Sequence, residues 1–130
     1  MAWVEIFAVF FVCHLVGDYL VQTDWQARHK RGGLGRDPLA RRALVSHIAT
    51  YTLAFVPALV WVADEIGAAA VGIGALIAVP HLIQDDGRAL SVFIRRVKGE
   101  TALTEPSVAA AADQSFHVLA LFLTALLAAS

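Results

Sequence analysis

Apolar residues gather into four runs, at about 2–23, 43–61, 66–87 and 108–129. Each holds about 19–22 residues, enough to cross a hydrocarbon core of about 30 Å as a helix. Backbone in lipid must satisfy its own hydrogen bonds, so all four runs are predicted as α-helices. The expected fold is all-α, a four-transmembrane-helix bundle forming a single integral membrane domain over residues 1–130. Pro57 and Pro80 fall inside the second and third runs and are expected to kink them. Between the third and fourth runs, Leu90, Phe93, Ile94 and Val97 recur at helical spacing among Arg88, Arg95, Arg96 and Lys98. That pattern predicts a short amphipathic helix lying at the membrane interface. The glycine-rich stretch 32–35 lacks the strand–helix context and the lysine of a phosphate loop, and is expected to be a flexible turn.

The polar positions inside the runs are periodic as well. The first run carries His14, Asp18 and Gln22, the second His47 and Tyr51, the third His81 and Asp85, and the fourth Asp113 and His117 with Gln114. Each set steps by four residues, which places its side chains on one helix face. Ionisable groups inside a span are costly, and they usually face the bundle interior and carry function.

Charge orients these faces. All ten Lys and Arg lie in two segments, 28–42 and 88–98, which follow the first and third runs. Four alternating spans put both segments on one side, and the excess of basic residues makes that side cytoplasmic. Both termini are then expected to be extracytoplasmic. Trp3 and Trp61 would sit in the outer aromatic belt and Trp25 in the inner one. At about 1.5 Å of rise per residue, His14, Asp18, His47, His81, Asp85, Asp113 and His117 all fall within about 14 Å of the cytoplasmic ends. In the first, third and fourth runs the histidine is the deeper member, although the helices alternate in direction. His14, His81 and His117 are therefore expected in one cluster, with Asp18, Asp85, Asp113 and His47 just above it.

Composition supports the membrane reading. The chain is 58% hydrophobic with a mean hydropathy of +0.67, too apolar for an ordinary soluble domain of 130 residues. A net charge of −1 suggests no nucleic-acid partner. The single cysteine, Cys13, permits no internal disulfide and is expected to pack. The first run has neither a basic n-region nor a clear small-residue cleavage site, so a retained span is expected.

Imidazole and carboxylate together suit zinc, iron, manganese or nickel. His14, Asp18, His47, His81, Asp85, Asp113 and His117 are the candidate ligands of a divalent metal, with zinc favoured and one or two ions expected. Gln22, Tyr51 and Gln114 are expected to support them. Asp86, beside the cluster, is the candidate catalytic base. Lys30, Arg31 and Arg88 in the basic segments are candidates for holding an anionic head group.

The stretches HLVGDYLVQTDWQARHK, SHIATY, HLIQD and DQSFH resemble DUF3307, a family of small bacterial membrane proteins of unknown function. The resemblance covers nearly the whole chain. It supports positions His14, Asp18, Gln22, Trp25, Lys30, His47, Tyr51, His81, Asp85, Asp113, Gln114 and His117, implies a bacterial inner membrane, and supplies no reaction. A looser likeness in style links these motifs to membrane-bound metal-dependent hydrolases with intramembrane His/Asp motifs. The expected function is metal-dependent hydrolysis of a phosphorylated or lipid-linked substrate at the cytoplasmic leaflet. The alternative is a metal or proton transporter, or a metal-sensing membrane module. The expected partners are the lipid bilayer and an anionic lipid or phosphorylated small molecule. A homodimer is also expected, since four short helices bury little area.

Overall fold

Helix starts and stops follow local chemistry. The computed structural model describes residues 1–130, which fold entirely as helices and turns without a strand. Helix α1, Trp3–Leu15, continues as a π-helix over Val16–Val21. Helix α2, Asp24–His29, opens on a reciprocal cap. Thr23 Oγ1 accepts from the Gln26 amide at 3.2 Å, and Gln26 Oε1 accepts from the Thr23 amide at 3.0 Å. This helix was not foreseen, although the Thr-x-x-Gln pattern that opens it is a capping-box signature.

Helix α3, Pro38–Ile66, is capped by Asp37 Oδ1, which accepts from the Leu39 amide at 2.9 Å, and it begins on a proline whose φ is already helical. It starts five residues before the second apolar run. It stops at Gly67, whose φ of +59° is a conformation glycine adopts without a Cβ penalty. A 3₁₀ turn, Gly67–Ala69, leads into α4, Ala70–Asp86, which packs back along α3. Pro57 and Pro80 lie inside α3 and α4 and end neither helix. The amphipathic segment forms as α5, Arg88–Phe93, followed by a π-helix over Ile94–Lys98. Leu90 and Ile94 are buried against Ala112, and Phe93 meets Phe116 edge-on, whereas Val97 is exposed. Helix α6, Pro106–Ala128, completes the chain.

Helix α1 packs against α3 and α6, and α4 packs against the same two. Three helical runs are long and apolar enough to cross a membrane: Trp3–Val21, Pro38–Asp86 with its break at Gly67, and Pro106–Ala128. Their shared interior has two unlike ends. Ile6, Phe10, Phe55, Val62, Ile73, Ile77, Leu121 and Ala125 belong to one apolar core. Toward the other end, the last turns of α1 and α4 and the earlier turns of α3 and α6 bring the polar residues together. Cys13 packs at the margin of the apolar core.

Candidate metal centre

His47 lies on α3 and His81 and Asp85 on α4, while Asp18 stands on the π-helical continuation of α1. All four are buried. His47 Nε2 lies 3.1 Å from Asp18 Oδ1, 2.8 Å from Asp85 Oδ2 and 3.1 Å from His81 Nε2. His81 Nε2 lies 3.2 Å from Asp18 Oδ1 and 3.1 Å from Asp85 Oδ2. A tetrahedral ion with bonds of about 2.0–2.1 Å needs ligand–ligand edges of about 3.3 Å. Five of the six edges of this quartet come within about half an ångström of that figure. Asp18 Oδ1 has no hydrogen-bond partner despite the two imidazoles beside it. His47 and His81 meet as hydrogen-bond partners, but the imidazole–carboxylate contacts lack hydrogen-bond direction and converge as ligands around an ion do.

A second group shares Asp85. One donor atom each from Asp85, Asp113 and His117 fall within 4.8 Å of one another. His117 Nδ1 donates to the Asp113 carbonyl at 2.7 Å, and its Nε2 stands 3.3 Å from Asp85 Oδ1. The buried histidines lie close together, with ring centroids 5.4 Å apart for His14–His117 and 4.6 Å for His81–His117.

His14 is in the cluster but outside both donor groups. Its Nε2 donates to Gln114 Oε1 at 2.9 Å, so the Tyr51 hydroxyl, 3.0 Å from Nδ1, donates to it. Both ring nitrogens are thereby used, and Asp18 Oδ2 is 3.8 Å away. Tyr51 supports the centre in another way, lying flat on the His81 ring with centroids 3.4 Å apart and planes 5° apart. Gly17 makes room for this, because a Cβ there would come within 2.6 Å of Tyr51 Cδ2.

Lys30 departs from its expected role as a head-group ligand. The cap of α2 places it so that Nζ donates to Asp85 Oδ2 at 2.8 Å and to Gln22 Oε1 at 2.6 Å, with Gln22 donating onward to the Asp18 carbonyl. Its long stem reaches inward and delivers the ammonium to a buried carboxylate, where the attraction is stronger than in water.

Asp86, the expected base, is held by three hydrogen bonds. Oδ1 accepts from the Leu34 amide at 2.9 Å and from Arg88 Nη2, and Oδ2 accepts from Arg88 Nε at 2.7 Å. With the Gly32 amide donating to the Asp86 carbonyl, the glycine-rich turn is pinned to the end of α4 and is not free. Arg31 and Arg88 stay at the surface, where with Arg95 they border a shallow cavity of about 500 Å³. His29 is half-buried at the surface, and its Nδ1 donates to the Trp25 carbonyl.

Fold and site together define a class: an all-helical protein with membrane-length apolar helices, enclosing a buried His/Asp cluster able to hold a metal ion. The family model described as "Protein of unknown function (DUF3307)" matches residues 6–130, and the chain belongs to that family. No curated protein and no solved structure matches it.

Proposed function

We propose that this protein is a membrane-embedded zinc enzyme, a hydrolase acting on a phosphorylated or lipid-linked substrate at the cytoplasmic leaflet. The observation that carries the reading is the quartet His47, His81, Asp18 and Asp85, with near-tetrahedral spacing and an orphaned carboxylate oxygen. Tetrahedral nitrogen and oxygen donors suit zinc. Three carboxylates, Asp18, Asp85 and Asp113, face the single ammonium of Lys30. One divalent cation balances that deficit, and uncompensated buried charge is costly.

The four long helical segments, α1, α3, α4 and α6, would form the four-span bundle. Leu20, Leu53 and Val71, among the most exposed apolar side chains, would meet lipid acyl chains. With both basic segments cytoplasmic, the cluster sits in the inner half of the membrane. Hydrolysis is favoured over transport because the other half of the interior is the apolar core, where Thr124 is the one buried polar side chain and its hydroxyl is bonded to the Ala120 carbonyl. Bound zinc would supply Lewis acidity, which lowers the pKa of water to near 7 where the ion keeps a position open. The chain's own groups would hold the ion, and Arg31 and Arg88, on the surface cavity beside Asp86, would attract an anionic substrate.

The test is elemental analysis of the full chain purified in detergent, followed by assay in phosphatidylglycerol vesicles with p-nitrophenyl phosphate and with phosphatidic acid. Bound zinc and zinc-dependent phosphate release, lost on chelation and restored by zinc, are expected. Zinc-loaded protein that carries zinc across the vesicle wall and releases no phosphate would replace this reading with the transport one.

A further inference from the structure

The two donor groups meet at Asp85 and are built differently. Asp85 Oδ2 faces His47 and His81 at 2.8 and 3.1 Å, while Oδ1 faces His117 Nε2 at 3.3 Å. The carboxylate thus turns one oxygen to each group. The His117 tautomer follows from its partners. A carbonyl can only accept, so Nδ1 carries the proton that it donates to Asp113 O. In the neutral ring, Nε2 then presents a lone pair to the Asp85 carboxylate, which is also an acceptor. A proton on Nε2 would bridge the two along a hydrogen bond, but Nε2 makes none, and the ring is only 1% exposed. A cation between the two would resolve the meeting.

The surroundings indicate what kind of cation site this is. The quartet closes around its centre with four protein donors, all buried. The second group supplies three, and Asp113 keeps a quarter of its side-chain surface exposed. Asp113 also lines a cavity of about 280 Å³ between α4, α5 and α6, walled by Ile83, Leu90, Phe93 and Phe116. Structural zinc sites use four protein ligands, whereas catalytic sites use three and leave a position open.

We infer that the protein holds two divalent cations bridged by Asp85: a retained ion in the quartet, and an exchangeable ion on Asp85, Asp113 and His117 with an open position toward the 280 Å³ cavity. This rests on the metal-centre reading above and adds the second ion to it. The first ion and Lys30 already balance the three carboxylates, so the second brings surplus positive charge. That surplus draws an anionic ligand such as a phosphate group to the open position.

The experiment is metal counting on the full chain in detergent, equilibrated with excess zinc and measured before and after rapid desalting. Two zinc ions per chain before desalting and one after are expected for wild type. His117→Ala and the isosteric Asp113→Asn should each hold one ion before and after, and His47→Ala should lose the retained one. Manganese-loaded wild type should give an exchange-coupled electron paramagnetic resonance signal, and both second-site variants an uncoupled one. Unchanged circular dichroism and gel-filtration elution qualify each variant, with Asp113→Asn serving should His117→Ala misfold. A single ion in wild type that survives Asp113→Asn and His117→Ala would overturn the second site and leave the metal centre standing. Loss of all metal from a folded second-site variant would also overturn it, by showing one undivided centre. No metal in wild type would overturn the metal-centre reading itself.

Discussion

Replacing His81 with alanine separates a metal centre from a bundle held by polar packing. His81 provides one of the quartet's four donors and carries the Tyr51 ring on its face. An ion that binds only the folded chain stabilises it by about 2.7 kcal/mol at a free concentration one hundred times Kd, and by about 4.1 kcal/mol at one thousand times. A chain of this size gains about 4 °C in Tm per kcal/mol, so wild type loses roughly 10–15 °C when its zinc is chelated. His81→Ala is destabilised for two further reasons. It opens a cavity beneath Tyr51, and it removes an imidazole from two buried carboxylates, a class of change that costs about 3–5 kcal/mol when the pair is charged. The decisive quantity is therefore the chelator-induced shift within each protein. Thermal melts of both, with and without chelator, should show a large shift for wild type and a small fraction of it for the variant. Polar packing makes His81→Ala less stable but leaves both proteins indifferent to chelator. Metal-free and metal-loaded wild type melting together would refute the reasoning.

Three other expectations address separate parts of the molecule. Gly17→Ala places a Cβ within 2.6 Å of Tyr51 Cδ2, and should cost about 1–3 kcal/mol in thermal stability and weaken zinc affinity through His81; equal affinity would show that the stack does not position the ligand. Asp86→Ala unhooks the Leu34 amide and Arg88, and should cost about 1–3 kcal/mol while metal content stays the same; a folded, zinc-loaded variant devoid of hydrolysis would restore Asp86 as the base. A cysteine introduced at Ser130 should react in intact cells with a membrane-impermeant thiol reagent, and protection until lysis would reverse the orientation and move the site to the other leaflet.

The helices and their polar faces could be read from the chain because both depend on neighbouring residues. Hydropathy over about 20 residues marks a span, and a four-residue step puts His81 beside Asp85 on one face, wherever the helix is finally packed. Alternating direction and the basic segments then placed the polar residues of all the runs at one depth. Which donor meets which was not decided at that level. His14 and His47 are alike in sequence, each a histidine on an apolar run with a polar residue four positions on. The structure gives His14 to Tyr51 and Gln114 and His47 to the quartet. Lys30 looks like its basic neighbours, yet it reaches Asp85, 55 residues away, because a two-turn helix that the hydropathy pattern does not register aims it there. Asp85 and Asp86 are adjacent on α4, but a helix turns about 100° per residue. One step therefore separates a carboxylate at the centre from one that ties down a loop. Such assignments depend on helix rotation and on contacts between distant segments, which become fixed only when the helices pack against one another.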